Sequence, residues 1–193
     1  MIILGVDPGS RLLGYGCIEK NGNQFRVIAH GTVRLFHSEY KNIPVDETTP
    51  SRLKEIHQHL SEIIQKYRPT AMAVEKVFFA KNAVSALKLG QARGVVLLTG
   101  AMHDLEIHEY SATEVKGVVT GYGRADKDQV AKTLQLILGQ QDFQTLDSSD
   151  ALAIALAHGI SQKTRSSKIP EIRAKKSKKS GSLKSLAESI KSR

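Results

Sequence analysis

Short apolar runs separated by turn residues open the chain and predict β-strands. Ile2–Val6 is apolar and rich in β-branched residues, which is typical of a buried strand. Tyr15–Glu19 and Phe25–Leu35 predict two further strands, and Asn21–Asn23, with its central glycine, favours a hairpin turn between them. Three strands joined by tight turns predict an antiparallel meander at the start of a sheet.

After the meander, helical and strand patterns alternate. Apolar residues at helical spacing predict a helix over Ser51–Tyr67, and the polar, proline-containing stretch before it, His37–Pro50, predicts a loop. This alternation predicts an α/β fold with a mixed five-stranded sheet flanked by helices. The further elements expected are a strand over Ala71–Phe78, a helix over Asn82–Met102, a strand over Glu106–Tyr110, a helix opened by a Ser111/Glu114 capping box, a loop over Val119–Ala125, a helix over Lys127–Leu138 capped by Asp126, and a last helix from Asp147 to about Ile160.

The charge of the chain is concentrated at one end. The net charge is +9, and residues 162–193 hold eleven Lys or Arg against two Glu, which accounts for all of it, since residues 1–161 hold 17 basic and 17 acidic residues. We therefore expect one domain over residues 1–161 and a basic, disordered tail over residues 162–193. A basic tail fits a phosphate backbone, but a solubilising role explains the charge equally well, and an acidic membrane surface ranks last.

The remaining composition narrows the class of protein. The single cysteine, Cys17, excludes an internal disulfide and suits a reducing compartment. The seven histidines show no zinc-ligand spacing. The pattern contains neither a signal peptide nor an apolar run of the ~18 residues that a membrane span needs. We expect a soluble, cytoplasmic protein with no membrane partner.

Four carboxylates stand out by their positions. Asp7 ends the first predicted strand, Glu75 lies in an otherwise apolar strand, and Asp147 and Asp150 are three residues apart at a helix start, where they share a face. Taken singly, each has an ordinary structural explanation as a turn residue, an N-cap or half of an ion pair. Taken together, they favour a site for two divalent cations that would hold the attacking water and the leaving oxygen of a phosphodiester.

The same residues belong to longer motifs. Residues 7–10 with Gly14–Gly16, residues 74–82 running into 85–94, residues 110–116 and residues 147–153 resemble the RuvC family of Holliday junction resolvases, in the order of that family. The likeness covers nearly all of residues 1–161, and the block over residues 75–94 is the most specific part. The sequence departs from the family in the length of His37–Pro50 and in its extended basic tail.

The resemblance implies an RNase H-like fold, a homodimer, and Mg²⁺-dependent, paired and symmetric cutting of four-way DNA junctions in recombination and repair. It also implies two Mg²⁺ ions per site, replaceable by Mn²⁺, and cooperation with a RuvA–RuvB branch-migration complex. The positions that match the family's functional residues are Asp7, Glu75, Asp147 and Asp150 as catalytic metal ligands, Lys116 and Lys127 as basic residues near the DNA, and Phe78 as an aromatic that contacts bases near the crossover.

Several alternatives stay open from the residues alone. Asp7 and Gly9, followed by Gly14 and Gly16, also resemble the first phosphate loop of actin-like ATPases, although 161 residues supply only one of the two lobes that those proteins need. A junction-binding protein without catalysis is a third hypothesis. Phe78 could be a core residue and the two lysines ordinary helix surface. The helix with small residues over 82–102 could pack on its own sheet or on a second subunit.

Overall fold

Five strands and five helices make up the described part of the chain. The computed structural model describes residues 1–9, 11–35, 45–76, 83–139 and 146–166, without the side chains of residues 45–48, 146–147 and 163–166. The strands are β1 (Ile2–Pro8), β2 (Leu12–Asn21), β3 (Gln24–Arg34), β4 (Ala71–Glu75) and β5 (Glu106–Tyr110). The helices are α1 (Val45–Tyr67), α2 (Ala83–Met102), α3 (Ala112–Thr120), α4 (Lys127–Leu138) and α5 (Leu146–Ser166).

The five strands form one mixed sheet in the order β3-β2-β1-β4-β5. The first three strands pair antiparallel, while β4 and β5 continue the sheet parallel to β1. The two-residue turn between β2 and β3 begins with Gly22 at a φ of 59°, a conformation that glycine adopts without steric cost. The predicted α/β fold with a mixed sheet and an N-terminal meander is confirmed.

Helices cover both faces of the sheet, and alternation along the strands divides the core between them. In β1, Ile3 packs with α3, α4 and α5, whereas Leu4 and Val6 pack with α1 and α2. In β4, Ala73 belongs to the first group and Val74 to the second. Successive side chains of a strand point to opposite faces, so the odd-numbered residues of both strands face α5.

The predicted loop over His37–Pro50 is wrong at its C-terminal end. Helix α1 begins at Val45 and contains Pro50, so residues 45–50 are helical. Pro50 is the sixth residue of α1, past the first turn whose N–H groups have no intrahelical acceptor, so it removes one hydrogen bond from a helix that nevertheless continues to Tyr67. The remainder of that predicted loop, residues 37–44, lies outside the described residues.

Three other predicted boundaries shift. Strand β4 ends at Glu75, so the prediction that it continues is wrong at Lys76, and Val77 and Phe78 lie outside the described residues. Helix α3 continues to Thr120 and ends at Gly121, whose φ of 79° closes the helix. Helix α5 continues to Ser166 instead of ending near Ile160. It crosses the predicted boundary at residue 161, and the division into domain and tail stays a prediction.

Both predicted helix caps are confirmed. The Ser111 side chain accepts from the backbone N–H of Glu114, whose carboxylate accepts from Ser111 in return. Asp126 and Gln129 form the same reciprocal arrangement at the start of α4. None of the helices in the described ranges combines the length and the apolar character that a bilayer crossing requires.

Candidate active site

Strand alternation places two of the acidic residues side by side on one face of the sheet. Val6 of β1 and Val74 of β4 are register partners, and Asp7 and Glu75 each follow that pair by one residue. Both therefore lie on the face that α5 covers. Their side chains are close enough to share a hydrogen bond. Two ionised carboxylates this close repel each other unless a cation lies between them.

Two glycines bring α5 directly onto this part of the sheet. Gly5 and Gly16 are register partners on β1 and β2. A Cβ on Gly5 would overlap the carbonyl oxygen of Ala151, and a Cβ on Gly16 would lie 2.9 Å from the backbone nitrogen of Leu152. The helix backbone thus rests on the bare strands. Asp150 precedes Ala151, and this close approach brings it to the end of β1 that carries Asp7.

The groups that shift the pKa of Glu75 show that Asp7, Asp150 and Lys127 lie close to it. Burial raises the pKa of Glu75, the hydrogen bond with Asp7 lowers it, the charge of Asp150 raises it and that of Lys127 lowers it. The net direction is upward. Desolvation and a neighbouring like charge both disfavour an ionised carboxylate, so the site holds more negative charge than its surroundings easily accommodate. A cation would relieve both penalties.

Two lysines border the same cavity. It has a volume of about 310 Å³, and its polar lining comes from Glu75, Asp150, Lys116 and Lys127, with apolar walls from α3, α4 and α5. Nζ of Lys127 lies 3.7 Å from Oδ2 of Asp150, and the two side chains are 69% and 41% exposed. The cavity therefore brings carboxylates and ammonium groups together, a combination suited to a phosphodiester.

Arg93 of α2 supports Glu75 from the opposite face, and the sequence analysis gave it no such role. Its Nε donates to the backbone carbonyl of Glu75 at 3.4 Å, and its guanidinium forms an ion pair with Glu109 of β5. The guanidinium thus links the ends of two neighbouring strands. A charged residue among the small residues of α2 was the available signal, but nothing in the sequence spacing identifies its partners.

The structure brings together five of the seven residues that the sequence singled out. They are Asp7, Glu75, Asp150, Lys116 and Lys127. The backbone of Asp147 lies in the first turn of α5, but its side chain and the whole of Phe78 lie outside the described part. Within the described ranges, no three His, Cys, Asp or Glu side chains form a group that would hold a metal ion by themselves.

Comparison with known proteins decides the family. The family model described as "Crossover junction endodeoxyribonuclease RuvC" matches residues 3–158. The RuvC of Halothermothrix orenii is 46% identical over 162 residues, which are 83% of this chain and 93% of that protein. The RuvC of Syntrophotalea carbinolica is 47% identical over 158 residues, 82% of this chain and 93% of that one. This chain belongs to the RuvC family.

Solved structures agree with that assignment. The structure of Thermus thermophilus RuvC in complex with a Holliday junction substrate superposes with a TM-score of 0.75 at 31% identity, covering 86% of this chain and 96% of that one. The yeast mitochondrial resolvase Ydc2, at 16% identity, shares the fold with a TM-score of 0.64, over 86% of this chain and 80% of its own. The fold is therefore RNase H-like. RuvC-family members are metal-dependent nucleases, which favours the nuclease hypothesis over the nucleotide-binding one.

Proposed function

We propose that this chain resolves four-way (Holliday) DNA junctions by paired, symmetric hydrolysis of phosphodiester bonds, leaving 5′-phosphate and 3′-hydroxyl ends. The observation that carries the proposal is the contact of Asp7 with Glu75 beneath Asp150, in a cavity bordered by two lysines, within a RuvC-family chain. The relative from T. thermophilus is described in complex with a Holliday junction substrate. Because such work needs the compartment that holds the DNA, the cytoplasm stays the predicted location.

Asp7, Glu75 and Asp150 are the described residues that would hold the metal, with Asp147 as a fourth candidate. Carboxylate oxygens suit Mg²⁺, which takes one or two protein carboxylates and completes its shell with water and substrate phosphate. A site of this kind does not require three protein ligands around one ion, so the described residues fit it. Two Mg²⁺ ions, replaceable by Mn²⁺, would supply an activated water and neutralise charge on the leaving oxygen.

The lysines have a separate task at the phosphate. Lys116 and Lys127 line the cavity, where an ammonium group can approach a non-bridging oxygen and offset the charge that develops in the transition state. Lys127 already lies near Asp150, and a phosphate that enters the cavity would compete for it. Phe78 keeps its proposed role of stacking on an unpaired base, a contact worth ~1–3 kcal/mol in single-strand binders.

A homodimer would match two sites to two symmetric cuts, and α2 offers a surface for it. An exposed apolar stripe follows one side of this helix and comprises Val84, Leu87, Leu98 and Met102, each more than half exposed. Gly94 lies in the same stripe and has no atom within 4 Å of its Cβ position, so a second helix could approach closely. Cooperation with a RuvA–RuvB complex stays part of the proposal.

The decisive experiment compares the wild type with Asp7→Asn on a mobile four-way junction and on duplex DNA of the same sequence. We expect the wild type to cut only the junction, and only with Mg²⁺ or Mn²⁺. Asp7→Asn keeps the size of the side chain but removes its charge, so cleavage should fall at least ~10³-fold while junction binding without metal stays within about two-fold. Retained cleavage by Asp7→Asn would contradict the assigned role of Asp7.

A further inference from the structure

A buried histidine lies in the apolar face of α5, away from the carboxylates. His158 is 1% exposed, and both its ring nitrogens have partners. Nδ1 lies 2.8 Å from the hydroxyl of Tyr110, and Nε2 lies 3.0 Å from the side-chain nitrogen of Gln162. The ring also stacks against His108, with centroids 4.2 Å apart. Buried polar side chains are normally hydrogen-bonded, and both ring nitrogens of His158 have a partner.

The partner on β5 connects His158 to the active site. Tyr110 is the register partner of Glu75, and its backbone carbonyl accepts from the N–H of Lys76 at 2.7 Å. The Tyr110–His158 hydrogen bond therefore joins α5, which carries Asp150, to the sheet position next to Glu75. This hydrogen bond lies eight residues along α5 from Asp150, so it ties the helix that carries Asp150 to the strand position paired with Glu75.

A second directional contact lies on the other side of the same helix. Nζ of Lys20 on β2 donates to the backbone carbonyl of Gly159 at 2.6 Å. Between these two contacts, α5 rests on Gly5 and Gly16 by van der Waals packing, which restrains its height above the sheet better than its rotation. Hydrogen bonds to strands on either side restrain the rotation because they depend on direction as well as distance.

Small rotations of α5 matter for the carboxylates that it carries. A side-chain atom lies ~6 Å from the axis of a helix, so a rotation of about 10° moves it by ~1 Å. A misplacement of about 1 Å in a catalytic constellation can cost ~100-fold in rate. The rotational setting of α5 therefore affects how the Asp150 carboxylate meets those of Asp7 and Glu75.

We propose that Tyr110 and His158 are positioning residues, which fix the rotation of α5 and thereby set the carboxylates in the geometry that binds the divalent cation. This inference rests on the proposed function and extends it to two residues outside the cavity. Neither residue lines the cavity that holds Glu75 and Asp150. Both act through the placement of Asp150 relative to Glu75.

The test measures metal binding by the full-length protein without DNA, alongside cleavage. Tyr110→Phe removes the hydroxyl and retains the ring. We expect its affinity for Mn²⁺, measured by titration calorimetry, to fall about ten-fold, and cleavage at sub-saturating metal to fall at least as much. Junction affinity in EDTA should stay within about two-fold of the wild type, because the surface that contacts the DNA is unchanged.

Two substitutions of His158 separate its two hydrogen bonds. Asn places its polar group near the position of Nδ1 and Gln near that of Nε2. His158→Asn should therefore keep the contact with Tyr110 and retain metal affinity within about three-fold. His158→Gln should lose that contact and resemble Tyr110→Phe. Equal metal affinity of these two variants would contradict the positioning role of the Tyr110 contact.

Thr99→Val is the matched control, since it removes a buried hydrogen bond from the opposite face of the sheet. The Thr99 hydroxyl lies 3.0 Å from Nδ1 of His57 and donates to the carbonyl of Val95. We expect this variant to lower the melting temperature as Tyr110→Phe does, without changing metal affinity. If Tyr110→Phe also lowers only the melting temperature, the inference is wrong. If the wild type binds Mn²⁺ but cuts no four-way junction, the proposed function fails instead.

Discussion

Glu75 combines a raised pKa with a position among other carboxylates, and this has a consequence for stability. In the unfolded chain its pKa returns to the ordinary value, so between the two pKa values the folded protein binds more protons than the unfolded one. Over that window, the free energy of unfolding therefore falls as the pH rises. Above the folded pKa the full penalty of an ionised, partly buried carboxylate is present.

We predict that Glu75→Gln stabilises the metal-free protein at neutral pH while it abolishes cleavage. Glutamine has the same size but carries no charge, so it avoids both the desolvation of a carboxylate and the repulsion by Asp150. Urea unfolding in EDTA from pH 4 to pH 8 should show a flatter pH dependence for the variant. Mg²⁺ should stabilise the wild type more than the variant, and parallel pH profiles of the two proteins would contradict the prediction.

Gly5 illustrates a residue whose importance is steric. Gly5→Ala would place its Cβ against the carbonyl oxygen of Ala151 and 2.8 Å from the backbone nitrogen of Ala155, and helix backbone cannot yield as a flexible side chain does. We expect a loss of about 1–3 kcal/mol in the free energy of unfolding, with reduced cleavage as α5 moves off β1. Gly117→Ala on α3, which meets only ordinary contacts, should be neutral or stabilising in the same denaturation experiment.

For individual residues, the sequence predicted which positions carry unusual charges, but it did not predict which side chains contact one another. An aspartate at a strand end and a glutamate in an apolar strand were visible because such positions rarely carry charge. The structure brings Asp7, Glu75 and Asp150 together, and their catalytic role stays a prediction. The contacts of Arg93 with Glu75 and of His158 with Tyr110 were not visible, because they depend on which strands become neighbours and no local pattern records that.

Helix α2 has one buried side and one exposed apolar side. Ala92, Val96 and Thr99 are buried against the sheet, whereas the exposed apolar stripe lies on another side of the helix. We predict that Leu98→Glu disrupts the proposed homodimer, since a carboxylate buried in an apolar interface without a partner costs at least about 2 kcal/mol. Sedimentation velocity should then show monomers at concentrations where the wild type is dimeric.

Leu136→Glu provides the control for this experiment. Leu136 lies on α4 and is 86% exposed, so the same substitution there alters the surface charge without touching α2. It should sediment like the wild type. If Leu98→Glu also sediments like the wild type, the stripe on α2 is not the dimer surface.

The elements were predictable where a local signal defines their ends. Capping residues such as Ser111 and Asp126 fixed the starts of α3 and α4, because each side chain bonds a backbone group three residues on. Strand β5 agrees with its predicted bounds for a similar reason, since a turn and a cap flank it. The start of α1 was missed because the polar stretch that contains Pro50 was interpreted as a loop, whereas the helix runs through this proline at the loss of one backbone hydrogen bond.

The whole molecule depends on connections that the sequence specifies only in part. The meander β1–β2–β3 follows from short turns, which can join only antiparallel neighbours. The parallel placement of β4 beside β1, with β5 beyond it, requires crossovers through α1 and α2. The alternation of helix and strand indicated such crossovers, but their order in the sheet emerged only with the structure. That order brings Asp7 next to Glu75.

The net charge of the chain lies in the basic residues 162–193, and a shortened chain tests whether they bind DNA. A chain that ends at Ser166 keeps all of α5 and lacks nine Lys or Arg and two Glu, which removes a net charge of +7 from the total of +9. Each phosphate that a protein neutralises contributes about −0.9 to the slope of log affinity against log salt.

If the tail contacts DNA, the shortened protein should bind junctions more weakly at low salt, with a shallower slope, and converge with the full chain at high salt. Metal-dependent cleavage at saturating protein should persist, since the carboxylates lie within residues 7–150. Equal slopes for the two proteins would assign the tail to something other than DNA binding.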